Sequence, residues 1–223
     1  ANITVEVIAR SGAQVKFAAI DRLGENVTAY ISRRGKLGND ASIDWAIGVM
    51  NEGNVVADFD SDLIGNGSHA DLKAVALSSG RQVQGIDTRV TNYGCNSIGN
   101  ILQHGVILEK ATLTFNGIGH IIKGAKGADA QQESRVLMLS DQARSDANPI
   151  LLIDENDVTA GHAASIGQVD PEDMYYLMSR GLDKATAERL VVRGFLGSVI
   201  VEIPVKEVRD EMIATIEEKL SKR

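Results

Sequence analysis

Between residue 3 and about residue 166, apolar side chains recur at every second position in short runs separated by turn-forming residues. Ile3, Val5 and Val7 alternate in this way, as do Ile43, Trp45, Ile47 and Val49, Val55, Ala57 and Phe59, and Leu72, Ala74 and Ala76. A period of two puts one set of side chains on one face of a sheet. Gly, Asn, Asp and Ser stand between the runs, as in Gly38-Asn39-Asp40, Gly65-Asn66-Gly67-Ser68 and Ser78-Ser79-Gly80. These residues supply turn geometry and positive φ. The runs follow one another at intervals of roughly 12 to 15 residues, with no convincing helical stretch between them. Two architectures fit this pattern: an antiparallel sandwich or barrel, and a parallel β-helix whose coils stack on one another. The period alone does not separate them. No proline precedes Pro149, which suits unbroken ladders in either case.

The pattern changes at Asp170. Asp170-Pro171-Glu172-Asp173 is a helix start, with an Asp cap, a Pro tolerated in the first turn, and acids at the positive end of the dipole. Gly181 after Arg180 ends that helix. Asp183 caps a second one, with Leu190, Val191 and Phe195 at apolar positions. Pro204 limits this helix or opens the next. Val205, Val208, Met212, Ile213, Ile216 and Leu220 then recur at helical spacing. The expected organisation is a β core over 1–168 and a helical domain over 169–223. A solenoid needs its last edge protected, and the helices are the expected cap.

Composition narrows the function. The net charge of −7 argues against a nucleic-acid partner held by bulk electrostatics and against a polybasic membrane anchor. No apolar run is long enough to span a bilayer. Cys95 is the only cysteine, so no internal disulfide forms and nothing suggests a secreted, stapled domain. The chain starts without Met and already inside a strand, which reads as a fragment or processed chain. No HxxxH, CxxC or HExxH spacing occurs, so a self-contained metal site is not expected. Asp58, Asp60 and Asp62 fail the EF-hand pattern, since Leu63 and His69 stand where Gly and Glu are needed. They read as a solvated strand face. Neither Gly117-Ile-Gly119 nor Gly124-Ala-Lys-Gly127 is a phosphate loop. His104 and His120 are strand histidines that could stack one coil apart, and Cys95 reads more readily as a small buried side chain than as a reactive thiol.

One stretch carries more. Pro149 to Ile153, then Val158-Thr-Ala-Gly-His162-Ala-Ala-Ser-Ile-Gly167, then Met174-Tyr-Tyr-Leu-Met-Ser-Arg180-Gly181, then Arg193-Gly194-Phe195 follow in fixed order. This order resembles the C-terminal signature of the SufB/SufD family, scaffold proteins of SUF iron–sulfur cluster assembly. Tyr93-Gly-Cys-Asn-Ser97, Gln103-His104, Phe115-Asn-Gly117 and Ala130-Gln131 extend the resemblance across the β core. It implies a right-handed parallel β-helix with a C-terminal helical domain. It also implies a cytoplasmic, non-enzymatic subunit that pairs with a like subunit through the β-helix and binds the SUF ATPase, SufC, through its C-terminal helices. ATP binding by that partner is then expected to rearrange the pair and expose the site of cluster formation. The resemblance also implies an N-terminal helical region, which is expected to lie outside a truncated chain such as this.

Within the family the departures point to the SufD type. SufB-like chains carry Gly-Asp-Lys-Cys where this chain has Ser140-Asp141-Gln142-Ala143, and His-Glu where it has His162-Ala163. SufD-like chains often have Cys two residues before that His; here it is Ala160. His162 is the candidate cluster ligand, and one imidazole holds a cluster only with donors from a partner. No cofactor is therefore expected to be bound stably by this chain alone; a transient cluster shared with a SufB-type subunit is. A homodimer is the alternative when the chain is isolated. Met174, Tyr175, Tyr176, Arg180, Gly181, Gly194 and Phe195 are the candidate ATPase contacts, Tyr and Arg being common interface anchors. Gly194 costs its helix about 1 kcal/mol relative to Ala, and close approach of another element would offset that. The competing readings are a solenoid enzyme of the polysaccharide lyase or hexapeptide acyltransferase type and a purely structural solenoid. The first lacks a six-residue repeat and a compelling set of groove acids and bases.

Overall fold

A computed structural model describes residues 1–201, 203 and 205–221. Pro204 lies outside the described residues, so its expected role at a helix boundary is left there. The alternating runs form twelve strands. Asn2–Ala9 (β1), Ala29–Leu37 (β3), Val55–Leu63 (β5), Val83–Asn92 (β7), Thr112–Ile121 (β9) and Arg144–Ile153 (β11) make one sheet in that order. Gln14–Asp21 (β2), Ser42–Val49 (β4), His69–Ser78 (β6), Ile98–Ile107 (β8), Asp129–Met138 (β10) and Thr159–Gln168 (β12) make the other. Every pairing is parallel, and each strand pairs with the one two places along. Of the two architectures open to the sequence, this is the parallel solenoid. Two strands make one coil, and 29 residues separate Leu72 from its rung partner Ile101.

The turns explain the punctuation. Asp40, Gly67, Asn96 and Gly127 all have positive φ, between 51° and 70°. Each sends its N–H to a carbonyl of the next coil: Asn66, Cys95, Lys126 and Asp157 respectively. Gly, Asn and Asp tolerate that geometry better than other residues. Cys95 lies in this column with its thiol 3.4 Å from the Gly124 carbonyl oxygen, half-buried rather than fully buried as expected.

Between the sheets, side chains stack in rows. Phe17, Trp45, Leu72, Ile101, Gln132 and His162 occupy successive rungs of one row. The early coils fill the interior with Trp45, Phe59, Ile31 and Ile43, all essentially inaccessible. Arg33 is buried there too, bidentate to Asp21 at 2.6 and 2.8 Å and near the Phe17 and Phe59 rings. Later coils are more polar inside. Ser134 Oγ donates to Gln103 Oε1 at 2.7 Å, and Gln132 Nε2 donates to the Ile150 carbonyl at 2.9 Å.

Three helices follow: Pro171–Ser179 (α1), Lys184–Ile200 (α2) and Lys206–Ser221 (α3). Asp170 and Asp183 cap the first two, and Gly181 turns the chain at φ 93°. Their position corrects the expected cap. Val192, Leu196, Val199, Ile200, Met212, Ile216 and Leu220 pack with Ala46, Met50, Val75, Leu77, Val106 and Leu108. α2 and α3 thus lie along the outer face of the β2–β12 sheet rather than over the end of the solenoid. The reason is in the strands: the second halves of β4, β6 and β8 are apolar on both faces, and that outer strip has to be covered. Ile213, placed on the apolar stripe of α3, is instead 37% exposed.

Candidate functional site

The last coil ends in two edge strands, β11 and β12, each paired on one side only, with β9 and β10 respectively. Thr159 N–H bonds back to Ala128 O, so the odd-numbered N–H groups of β12 face β10. The even-numbered ones, from Ala160 to Gln168, face the open edge. On β11 the bonds of Arg144 and Asp154 run back toward β9, to Ala111 O and Ile121 O. Pro149 therefore has its missing N–H on the open side, where proline is tolerated. β12 contains no proline and no charged residue. Natural proteins usually blunt a free edge with such residues; this strand is not blunted.

His162 sits in the middle of that strand. Its rung partner Gln132 is buried, so the imidazole tops an interior row, where it is exposed at the last coil. Ala160, Ala164 and Ile166 share its face. Ile166 is 41% exposed, and Leu152 and Ile153 of β11 are open as well. The other three histidines each have a carboxylate: His69 with Asp71 at 3.0 Å, His104 with Glu133 at 3.3 Å, and His120 with Asp154 at 3.1 Å. The hydrogen bond with Asp71 also raises the pKa of His69. Among the described residues His162 alone of the histidines has no such carboxylate partner.

Among the described residues no group of three or more His, Cys, Asp and Glu side chains could hold a metal ion. Ala163 points to the outer face, next to Glu133 in register, so a residue there cannot share the interior mouth with His162. Ala143 lies in the turn before β11 and packs against the interior cluster. His104 and His120 do not stack, because they stand in opposite sheets; their rung partners are Arg135 and Val75, and Thr91 and Leu152. Asp58, Asp60 and Asp62 line the outer face of the odd-numbered sheet, with Arg34 3.8 Å from both Asp58 and Asp60.

The candidate partner-binding residues separate into two groups. Tyr175 and Tyr176 are exposed, at 76% and 56%, and the Arg180 guanidinium lies 5.0 Å from the Tyr176 ring centre. No residue of α1 is buried. Gly181 and Gly194 are exposed too, and a Cβ on Gly194 would meet nothing within 4 Å. Among the described residues none makes the close approach expected at Gly194. Leu190 and Val201, on the same side of α2, are 50% and 67% exposed. Met174 is half-buried and, with Met138 and Met178, lines a cavity of about 250 Å³ between the end of β10 and α1. Phe195 belongs elsewhere. It packs against the sheet, its ring 5.0 Å from that of His104. Sequence reasoning had no signal for that pairing, since 91 residues separate the two.

A family model described as SUF system FeS cluster assembly, SufBD core domain, matches residues 1–195. The chain is 50% identical over 220 residues to the iron–sulfur cluster assembly protein SufD of Bacillus subtilis, covering 98% of this chain and 50% of that protein. An iron–sulfur cluster assembly SufBD family protein of Mycobacterium tuberculosis is 32% identical over 228 residues, covering 97% of this chain and 56% of that one. One of Mycobacterium leprae is 29% identical over 204 residues, 91% of this chain and 23% of its own length. The chain therefore spans about half or less of these relatives.

Proposed function

Because the chain belongs to the SufBD family of iron–sulfur cluster assembly proteins, we propose that it is a SufD-type scaffold subunit rather than a catalyst. In this reading it pairs with a SufB-type subunit along β12 and binds a SufC-type ATPase through α1 and the exposed side of α2. The observation that carries the reading is His162 at the centre of an unblunted edge strand, unpaired, atop an interior row. A like subunit adding its own edge to β12 would satisfy the free N–H and C=O groups and cover Leu152, Ile153 and Ile166. It would also bring its own donors to the mouth where His162 stands. The nascent cluster is then cargo held between chains, with this chain contributing one imidazole and no cofactor held by itself. A two-fold axis permits the same edge to pair with a second copy when the SufB-type partner is missing.

The ATPase surface is argued from exposure and chemistry. Tyr175, Tyr176 and Arg180 are aromatic and guanidinium groups of the kind that anchor interfaces. Gly194, with open space above it, admits a close-packed partner element. The proposed setting is the cytoplasm; no described helix is long and apolar enough to cross a membrane.

Co-purification tests this. The chain is expected to elute with a SufB-type and a SufC-type protein. Arg180→Glu or Tyr175→Asp should weaken ATPase retention without loss of fold. Phe195→Asp is a poor probe, because it would undock α2. A folded chain that associates with neither protein under any nucleotide condition would contradict the proposal.

A further inference from the structure

Among the described residues His104 is the only buried histidine, and it joins two parts of the molecule that sequence keeps far apart. It stands on the outer face of β8 under α2. Its ring stacks on Phe195 at 5.0 Å with 23° between the planes. Nδ1 lies 3.4 Å from the Phe195 carbonyl oxygen, and Nε2 lies 3.3 Å from Glu133 Oε1. Glu133 is held in turn by Arg135, whose Nε is 2.8 Å from the same oxygen. In register Glu133 lies between Leu102 and Ala163. With Asn100, Leu102, Gln131, Gly161 and Ala163 it walls a surface groove of about 430 Å³ whose lining includes Gln132 and His162. On the outer face the groove floor is the backbone of those two residues, because their side chains turn inward.

We propose that His104 couples the docking of α2 to the edge strand that carries His162. Phe195 sets the ring, the ring sets Glu133, and Glu133 stands on β10 in register with Ala163 of β12, on the reverse side of His162. A partner that shifts α2 therefore acts on the open edge through one buried side chain with a contact on each nitrogen. The coupling rests on the reading of this chain as an ATPase-bound scaffold and supplies the route by which that ATPase regulates the edge. His104 is a positioning residue; it touches no cargo.

Amide hydrogen exchange in the whole chain tests the coupling. Phe195→Leu keeps apolar bulk and removes the stacked ring. It is expected to speed exchange of Gly161, Ala163 and Ser165, whose N–H groups face β10, by about five-fold or more. In a His104→Phe background, which keeps a ring but offers Glu133 no nitrogen, the same change should leave those amides as they were. Equal acceleration in both backgrounds, or none in the first, overturns the proposal. Should Phe195→Leu release α2 altogether, seen as lost protection at Leu196 and Val199, Glu133→Gln takes its place. It is expected to speed the same three amides while α2 stays protected, and unchanged amides count against the coupling. Adding a SufC-type ATPase with ATP gives a second arm. Binding that alters these amides in the wild type but not in His104→Phe supports the link, and binding that never alters them refutes it. Failure to bind counts against the ATPase reading alone, since the variants decide the coupling without it.

Discussion

At the scale of single residues, two glycines illustrate opposite uses of a missing side chain. Gly117 faces the interior, where a Cβ would stand 2.6 Å from Gln132 Oε1. Gly117→Ala has to displace the Gln132 amide and its bond to Ile150 O, at a cost of about 1–3 kcal/mol, read as a lower urea midpoint. Gly194 faces open space. Gly194→Ala should stabilise the free chain by about 0.5–1 kcal/mol and at the same time weaken ATPase retention. A variant that is more stable yet binds as well as the wild type would remove Gly194 from the proposed surface. His162 was legible as a candidate from its segment. Its orientation was not: only the register with Gln132 shows that it completes a core row. Phe195 was legible as apolar and not as the residue that stacks on His104, because nothing local links helix and strand.

At the scale of elements, the strands were readable from period two and the helices from their Asp caps and Gly181. The sheet pairing was not legible in the period, since alternation is the same in a sandwich and a solenoid; only the family resemblance implied the parallel β-helix that is found. The placement of the helices also escaped the pattern. The outer strip of β4, β6 and β8 is apolar in a region where both faces read alike, and that strip, not the solenoid end, draws α2 and α3. The turn before β12 carries its own pH sensitivity. Glu155 is buried and accepts N–H bonds from Asn156 and Gly124 at 2.8 and 3.0 Å. These bonds hold its carboxyl below its ordinary value of 4.5, the Asn156 N–H contributing most. A carboxyl depressed by folding stabilises fully above the unfolded value and loses that contribution as pH falls through the lowered one. Acidification below about pH 4.5 should therefore fray β11 and β12 before the early coils, followed by residue-resolved exchange. Glu155→Gln should fray them at neutral pH and flatten the dependence. A last coil that melts together with the first at every pH would dismiss Glu155 as the clamp.

At the scale of the whole molecule, the solenoid is closed along its β2–β12 flank by helices and left open at β12. Two proline variants separate the edge from the ladder. Ala164→Pro removes an N–H that faces outward, so the chain should fold normally and lose its SufB-type partner on size exclusion. Ala163→Pro removes an N–H that faces β10 and should destabilise the coil itself, by about 3 kcal/mol or more by analogy with a proline that breaks a backbone hydrogen-bond ladder. Pairing that survives Ala164→Pro would move the interface to β11 or to another face.

The most direct measurement is cluster content after anaerobic co-expression with SufB- and SufC-type proteins, wild type against His162→Ala. The account predicts an intact complex that has lost most of its iron and sulfide, because one shared ligand is gone and the edge backbone is untouched. Unchanged cluster content in an intact complex would contradict it.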